Sequence, residues 1–284
     1  MSGAPSLRAL LDEATQRLGD HVDARWIVEE VSGWEGADLI LHLDDAATPL
    51  IHARWSTLVE RRAAGEPLQY VLGRWGFRDL DLLVDRRVLI PRPETEQVVS
   101  VALEVLDAMG ATGDGSRTVV DLGTGSGAIA LSVARERPRV SVWATDRSAA
   151  ALDVARANMA GAGRAAARVR MVEGDWFDAL PDDLAGAIDL VVANPPYVAT
   201  GDALPDDVAH WEPRDALLAG PTGLDAITVI ARDAPRWLRP GGALVIEIGE
   251  THGAAASELA IAAGFTEVVV RPDLAGRPRV LVAR

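Results

Sequence analysis

From residue 118 onward, short apolar runs rich in Val, Ile and Ala alternate with stretches of helical length, and that alternation admits few folds. The runs fall at 118–122, 140–145, 168–172, 188–193, 243–248, 266–270 and 279–282, with helical periodicity at 128–136, 149–160, 224–238 and 254–263. Strands separated by helices pair in parallel through crossovers, because a tight turn joins only antiparallel neighbours. The expected fold is therefore α/β, a doubly wound, mostly parallel, seven-stranded Rossmann-like sheet. The last two runs lack a helix between them and predict an antiparallel hairpin at one edge.

Ahead of this region the texture is helical. Leu7, Leu10, Leu11 and Leu18, then Trp26, Ile27 and Val31, then Leu50, Trp55, Leu58 and Val59 recur at helical spacing, with breaks near Gly19, Gly33 and Thr48-Pro49. Residues 1–66 are expected to form a small helical domain. Extended pieces at 70–72 and 80–84, punctuated by Gly73 and Gly76, predict a hairpin-like connector over 67–91, leaving 92–284 as the α/β domain.

Composition removes several classes of chemistry. The 284 residues include no cysteine, which excludes disulfides, thiolate nucleophiles and Cys-ligated zinc, and the five histidines are scattered, so no metal site is expected. A formal net charge of −14 opposes a phosphate backbone, so direct nucleic-acid binding is not expected. No apolar run reaches the roughly 18 residues of a membrane span, and no basic segment followed by an apolar one opens the chain, so a soluble, cytoplasmic protein is expected.

Asp121-Leu122-Gly123-Thr124-Gly125-Ser126-Gly127 follows an apolar run and opens a helix. Glycines there let the backbone turn sharply and a ligand approach without a Cβ in its way. The G-x-G-x-G spacing with a preceding acid suits the ammonium of a methionine moiety better than a pyrophosphate, which favours S-adenosylmethionine over a dinucleotide. Asp146 ends the next strand, where an acid accepts from both ribose hydroxyls; a plain helix cap before Ser148 is the alternative. Asp175 and Trp176 follow the third strand and are placed to frame an adenine, unless Trp176 is ordinary core.

The fourth strand should adjoin the first at the topological switch point, and Asn194-Pro195-Pro196-Tyr197 sits at its end, beside the glycine loop. Two prolines stiffen the path, so the Asn194 side-chain oxygen and the Pro195 carbonyl point at one place. Two acceptors suit an NH2 group, and Tyr197 can lay its ring on a planar target. The bland alternative is a proline-rich turn with Asn194 capping and Tyr197 packed.

With these residues in view, the chain resembles the release factor glutamine methyltransferases, the PrmC/HemK family, over nearly its whole length. The resemblance is carried by Pro67-Leu68-Gln69-Tyr70, by Ile90-Pro91-Arg92-Pro93-Glu94-Thr95-Glu96, by the loop from Asp121, by Gly174-Asp175-Trp176-Phe177 and by Asn194-Pro195-Pro196-Tyr197, with Glu247-Ile248-Gly249 also in keeping. It implies N5-methylation of the glutamine in the Gly-Gly-Gln loop of class I peptide-chain release factors, from S-adenosylmethionine, with the helical domain helping to dock the substrate protein; separately from the resemblance, a monomer is expected. Carried over, the family's cofactor contacts fall on Gly123, Thr124, Gly125, Ser126, Gly127, Asp146, Trp176 and Asn194, and its substrate contacts on Asn194, Pro195, Pro196 and Tyr197. Arg92 and Glu94 either lie near the cofactor or tie the connector down by ion pairs. Two rival readings stand beside this one: methylation of an exocyclic amine on a flipped-out nucleic-acid base, and a cofactor-binding module without chemistry.

Overall fold

The computed structural model describes residues 4–109 and 115–284, which fall into two compact units. One comprises the described residues up to Arg74 together with Pro205–Trp211; the other comprises Trp75–Leu204 and Glu212–Arg284.

The first unit is helical: α1 (Leu7–Leu18), α2 (His21–Ser32), α3 (Gly36–His42), α4 (Pro49–Ala63) and α5 (Leu68–Leu72). The breaks expected from the sequence are its caps. Ser6 and Asp20 accept backbone N–H groups at the starts of α1 and α2, Thr48 does so for α4 with Pro49 in its first turn, and Gly19 and Gly33 end α1 and α2 in the left-handed conformation. Leu10, Ile27, Val28, Trp55 and Val59 interlock as its core. Residues 70–72, expected to be extended, instead close the short helix α5, whose end is set by Gly73 in the left-handed region. A stretch that short carries too little period to separate the two states.

Next, β1 (Arg74–Phe77) and β2 (Leu80–Leu83) form a two-stranded sheet, β2 at the extended piece expected at 80–84 and β1 at 74–77, beyond the 70–72 expected for the other arm. Then come α6 (Pro93–Ala108), β3 (Arg117–Leu122), α7 (Ala128–Glu136), β4 (Val140–Asp146), α8 (Ala149–Gly161), β5 (Val169–Glu173) and β6 (Ile188–Ala193). They are followed by α9 (Asp206–Trp211), which belongs to the first unit, and by α10 (Asp225–Trp237), β7 (Leu238–Glu247), α11 (Gly253–Ala262), β8 (Val268–Pro272) and β9 (Pro278–Ala283). Seven strands form one sheet in the order β5-β4-β3-β6-β7-β9-β8, parallel except at β9, which runs antiparallel to both β7 and β8. The edge hairpin of the sequence reading is thus present, with its second strand on the inside.

Every residue of β6 is buried, as befits a central parallel strand covered on both faces. Val120, Leu122, Val191, Leu244 and Ile246 join Ile227, Ile230, Ala256 and Ala260 of α10 and α11 in one apolar cluster. Strand β7 begins at Leu238, earlier than the apolar run at 243–248 suggests; Pro240-Gly241-Gly242 reads as a loop, yet Leu238 still pairs with Ile188 across a register shift. Among the described residues no helix is long and apolar enough to cross a membrane.

Candidate active site

Strands β3 and β6 are parallel neighbours, with Leu122 opposite Ala193, so the glycine loop after β3 and the tetrapeptide after β6 leave the sheet side by side. β4 lies on the other side of β3, and the chain order reverses at β3, the point where doubly wound sheets open a crevice at their strand ends. A cavity of about 930 Å³ occupies it, with Gly123, Gly125, Asp146, Trp176, Asn194 and Thr95 in its wall. Thr124, Ser126 and Pro196 line it as well, whereas Asp121, Gly127, Asp175, Pro195 and Tyr197 stand outside that lining.

The loop is held from several directions. Gly123 and Thr124 N–H both donate to Thr145 O at 2.9 Å, and Gly125 N–H donates to Asp146 Oδ2 at 2.9 Å. Asn158 donates to Ser126 O at 2.9 Å and bonds both main-chain groups of Leu83, tying the loop to the hairpin. Gly123 has φ +70°, and a Cβ there would meet the Trp176 ring at 3.3 Å. Trp176 itself sits at φ +46°, an uncommon conformation for a bulky residue, with its carbonyl accepting from Thr145 Oγ1 at 3.0 Å.

Asp121 is wholly buried beneath the loop. Its Oδ2 accepts from Thr124 Oγ1 at 2.6 Å and Ala130 N–H at 3.1 Å, while Oδ1 is buried without a partner. Burial pushes its carboxyl up to about 7 against those two hydrogen bonds. Asp146 both braces and lines: its two oxygens take the Gly125 and Ser148 N–H groups at 2.9 Å while the side chain faces the cavity, and burial raises its pKa. The cap of α8 is Ser148 itself, which accepts from Ala151 N–H.

Around the tetrapeptide lies a network the sequence reading did not assign. Asn194 Nδ2 donates to Thr95 Oγ1 at 3.0 Å, Thr95 Oγ1 donates to Glu247 Oε2 at 2.7 Å, and Tyr197 OH donates to Glu247 Oε1 at 3.3 Å. Burial pushes the Glu247 carboxyl up to about 7, and burial with the nearby Glu247 charge pushes the Tyr197 hydroxyl up to about 12. Thr95 and Glu247 sit inside two of the motifs that carried the family resemblance, which was the available signal. Arg92 and Glu94 lie outside the cavity lining: Arg92 pairs with Glu212, which also accepts Ile90 N–H at 3.2 Å, and Glu94 faces Arg277 at 3.5 Å. Their ion-pair reading is the one the geometry favours.

These atoms suit S-adenosylmethionine. Asp146 offers a carboxylate with only two of about four acceptor positions used, as a ribose diol requires. The loop approaches the Trp176 ring so closely that a Cβ would intrude, and an unpartnered carboxylate oxygen lies under it. Sheet order, loop and cavity together define an S-adenosylmethionine-dependent methyltransferase.

Comparison with known proteins narrows the class. Residues 9–73 match the PrmC N-terminal domain and residues 100–211 the methyltransferase small domain. The chain is 44% identical over 281 residues to the release factor glutamine methyltransferase of Xylella fastidiosa, covering 99% of this chain and 98% of that one. It is 40% identical to the protein of the same name from Streptomyces coelicolor, covering 98% of each. Among solved structures it is similar to the hMettl16 catalytic domain (TM-score 0.55, 16% identity, 82% of this chain and 80% of that one), a likeness of fold. The chain belongs to the release factor glutamine methyltransferase family.

Proposed function

We propose that this enzyme methylates the side-chain amide nitrogen, N5, of the glutamine in the Gly-Gly-Gln loop of class I peptide-chain release factors. The observation that carries the reading is the position of Asn194, in the wall of the cavity shared with Gly123 and Asp146, with its amide nitrogen already given to Thr95. When bound, S-adenosylmethionine supplies an electrophilic methyl group on a sulfonium centre.

A glutamine NH2 has two hydrogens to place. Asn194 Oδ1 accepts one and the Pro195 carbonyl the other, on a backbone that two prolines keep stiff. Gripping both hydrogens fixes the amide plane, aims its weakly nucleophilic nitrogen and stabilises the positive charge that grows on it during transfer. Pro196 bounds the planar target, Tyr197 steadies the tetrapeptide through Glu247, and the methylated nitrogen, strongly acidic while it carries the charge, sheds its proton to water. Residues 123–126 cradle the methyl donor, Asp146 accepts from its ribose, Trp176 frames its adenine, Asp121 holds the loop from beneath, and the exposed Asp175, outside the lining, is assigned no contact with it. The helical unit, with Ile40, Leu41 and Leu50 largely exposed, is assigned to grip the substrate protein.

The test is mass spectrometry of a class I release factor after incubation with the enzyme and S-adenosylmethionine. One added methyl group mapped to the glutamine is expected, and none with Asn194→Ala. An unmodified glutamine, or label passing to RNA or DNA instead, overturns the proposal.

A further inference from the structure

We infer that Thr95 is a positioning residue that sets which end of the Asn194 amide faces the substrate, with Glu247 fixing the direction of the Thr95 hydroxyl. The inference rests on the clamp reading above and goes beyond it, because it says why Asn194 presents an oxygen and not an NH2.

An asparagine amide is nearly symmetric in shape, so packing alone does not choose its rotamer; hydrogen bonds do. An ionised carboxylate only accepts, so with Glu247 Oε2 at 2.7 Å the single proton of the Thr95 hydroxyl goes to it. What Thr95 then offers Asn194 is lone pairs, and only the NH2 end of the amide answers them, at 3.0 Å. The opposite end, Oδ1, is thereby left for the cavity, where Asn194 and Thr95 both form part of the wall. The chain of donors runs one way, from amide to hydroxyl to carboxylate. Reversing Asn194 would set its oxygen against oxygen lone pairs and present two hydrogens to a substrate that brings two of its own.

The parts are built to hold. Thr95 lies in the first turn of α6 and is 4% exposed, and Glu247 ends β7 at 1% exposed. The other Glu247 oxygen accepts from Tyr197, so both ends of the tetrapeptide hang from one carboxylate. The groups facing that carboxylate are Thr95 and Glu94 of α6, Tyr197 after β6 and Arg279 of β9, the last also 3.7 Å from Asp273. Arg279 favours the charged form and Glu94 opposes it. Protonation of Glu247 supplies a hydrogen where Thr95 now finds an acceptor, and the direction of the chain is lost.

The experiment measures kcat and KM with a class I release factor and radiolabelled S-adenosylmethionine. Thr95→Val keeps the shape and removes the hydroxyl; kcat should fall about 100-fold, the scale of a misplaced catalytic group, with KM for S-adenosylmethionine within about 3-fold of the parent. Thr95→Ser, which keeps the hydroxyl, should restore kcat to within about 3-fold. The parent should lose kcat as pH falls through the Glu247 carboxyl, and Glu247→Gln should flatten that acidic limb, a change that a merely structural role would not produce. A parental kcat in Thr95→Val overturns the inference, as does a loss that Thr95→Ser fails to recover. Asn194→Ala is run beside them: if it stays active the clamp reading itself falls, and if it is dead while Thr95→Val is fully active only the positioning role falls.

Discussion

Asn194 Nδ2 and Thr95 Oγ1 lie 3.0 Å apart although 99 residues of chain separate them, one at the end of β6 and the other in the first turn of α6. This contact joins the proline-rich tetrapeptide to the Pro93-Glu94-Thr95 helix start, and it makes the identity of the atom at Nδ2 testable. Asn194→Asp replaces the donor with a second acceptor facing the Thr95 lone pairs, in a site already close to Glu247. We expect kcat to fall at least about 100-fold and the thermal midpoint to drop, since a charged acceptor now faces the Thr95 lone pairs close to Glu247 at unchanged volume. Steady-state kinetics with the release factor substrate checks this, and a variant within a few-fold of the parent would show that only the oxygen matters.

A second prediction concerns the floor of the methyl-donor site. Gly123→Ala adds a Cβ at φ +70° and 3.3 Å from the ring of Trp176, whose backbone carbonyl accepts from Thr145 Oγ1. The left-handed backbone alone costs about 1 kcal/mol or more, and the Trp176 ring must shift at the cavity wall. Calorimetric titration with S-adenosylmethionine should give an affinity weakened by about 10-fold or more. Asp146→Ala should do the same by removing the acceptor proposed for the ribose hydroxyls, beyond any loss from the Gly125 and Ser148 N–H bonds, and Asp146→Asn, which keeps one acceptor, should fall between. Unchanged affinity in Asp146→Ala would confine that residue to bracing.

What the sequence made legible was local. Strand β6, helix α7 and the breaks at Gly19, Gly33 and Thr48 depend on residues within a turn or a pleat of each other. Asp146 and Asn194 line one cavity because strand ends meet at one edge of a doubly wound sheet, and topology follows from the alternation. Helix α6 was harder to see: Val98, Val99, Val101, Ala102, Leu103, Val105 and Leu106 are all buried, so its apolar residues follow no clean single-face period. The Thr95 to Glu247 hydrogen bond spans 152 residues, and no pattern near either residue announces the other. Asp121 carries the loop's motif, yet its full burial beneath the loop depends on the tertiary packing of β3.

A third prediction tests the sheet itself. Asp189 is 5% exposed and gathers Arg117 at 3.0 Å, Thr118 N–H at 2.8 Å and Arg239 at 2.7 Å. Removing the carboxylate takes the ion pair from the buried Arg117 guanidinium, which keeps its hydrogen bond to Met109 O at 2.9 Å, a loss of up to about 3–5 kcal/mol by the usual cost of breaking one side of a buried pair. Asp189→Ala should show it in denaturant unfolding, with a matching drop in thermal midpoint. A loss below about 1 kcal/mol would mean that Arg117 swings out to water.

The fourth prediction follows from two carboxyls that burial pushes up to about 7, Asp121 and Glu247. Each is held above its ordinary value, so the folded chain binds more protons than the unfolded chain between that value and about 7. The corresponding stability is fully present below the ordinary carboxyl range and is lost as pH rises through about 7, on the order of 3 kcal/mol for Glu247 alone. Asp85, Asp107 and Asp233 act oppositely: side-chain hydrogen bonds from Arg87, Arg137 and Arg232 hold them below their usual range, so their contribution disappears only in more acidic solution. Exposure and screening make that contribution small. The ligand-free protein should therefore melt highest near about pH 5 to 6 and lose midpoint steadily towards about pH 8. Glu247→Gln and Asp121→Asn should each flatten the slope above pH 6, since a neutral amide has no charge to desolvate. A midpoint that climbs with pH across that window, or variants that follow the parent's slope, would mean that water or a mobile neighbour reaches these carboxylates when charged.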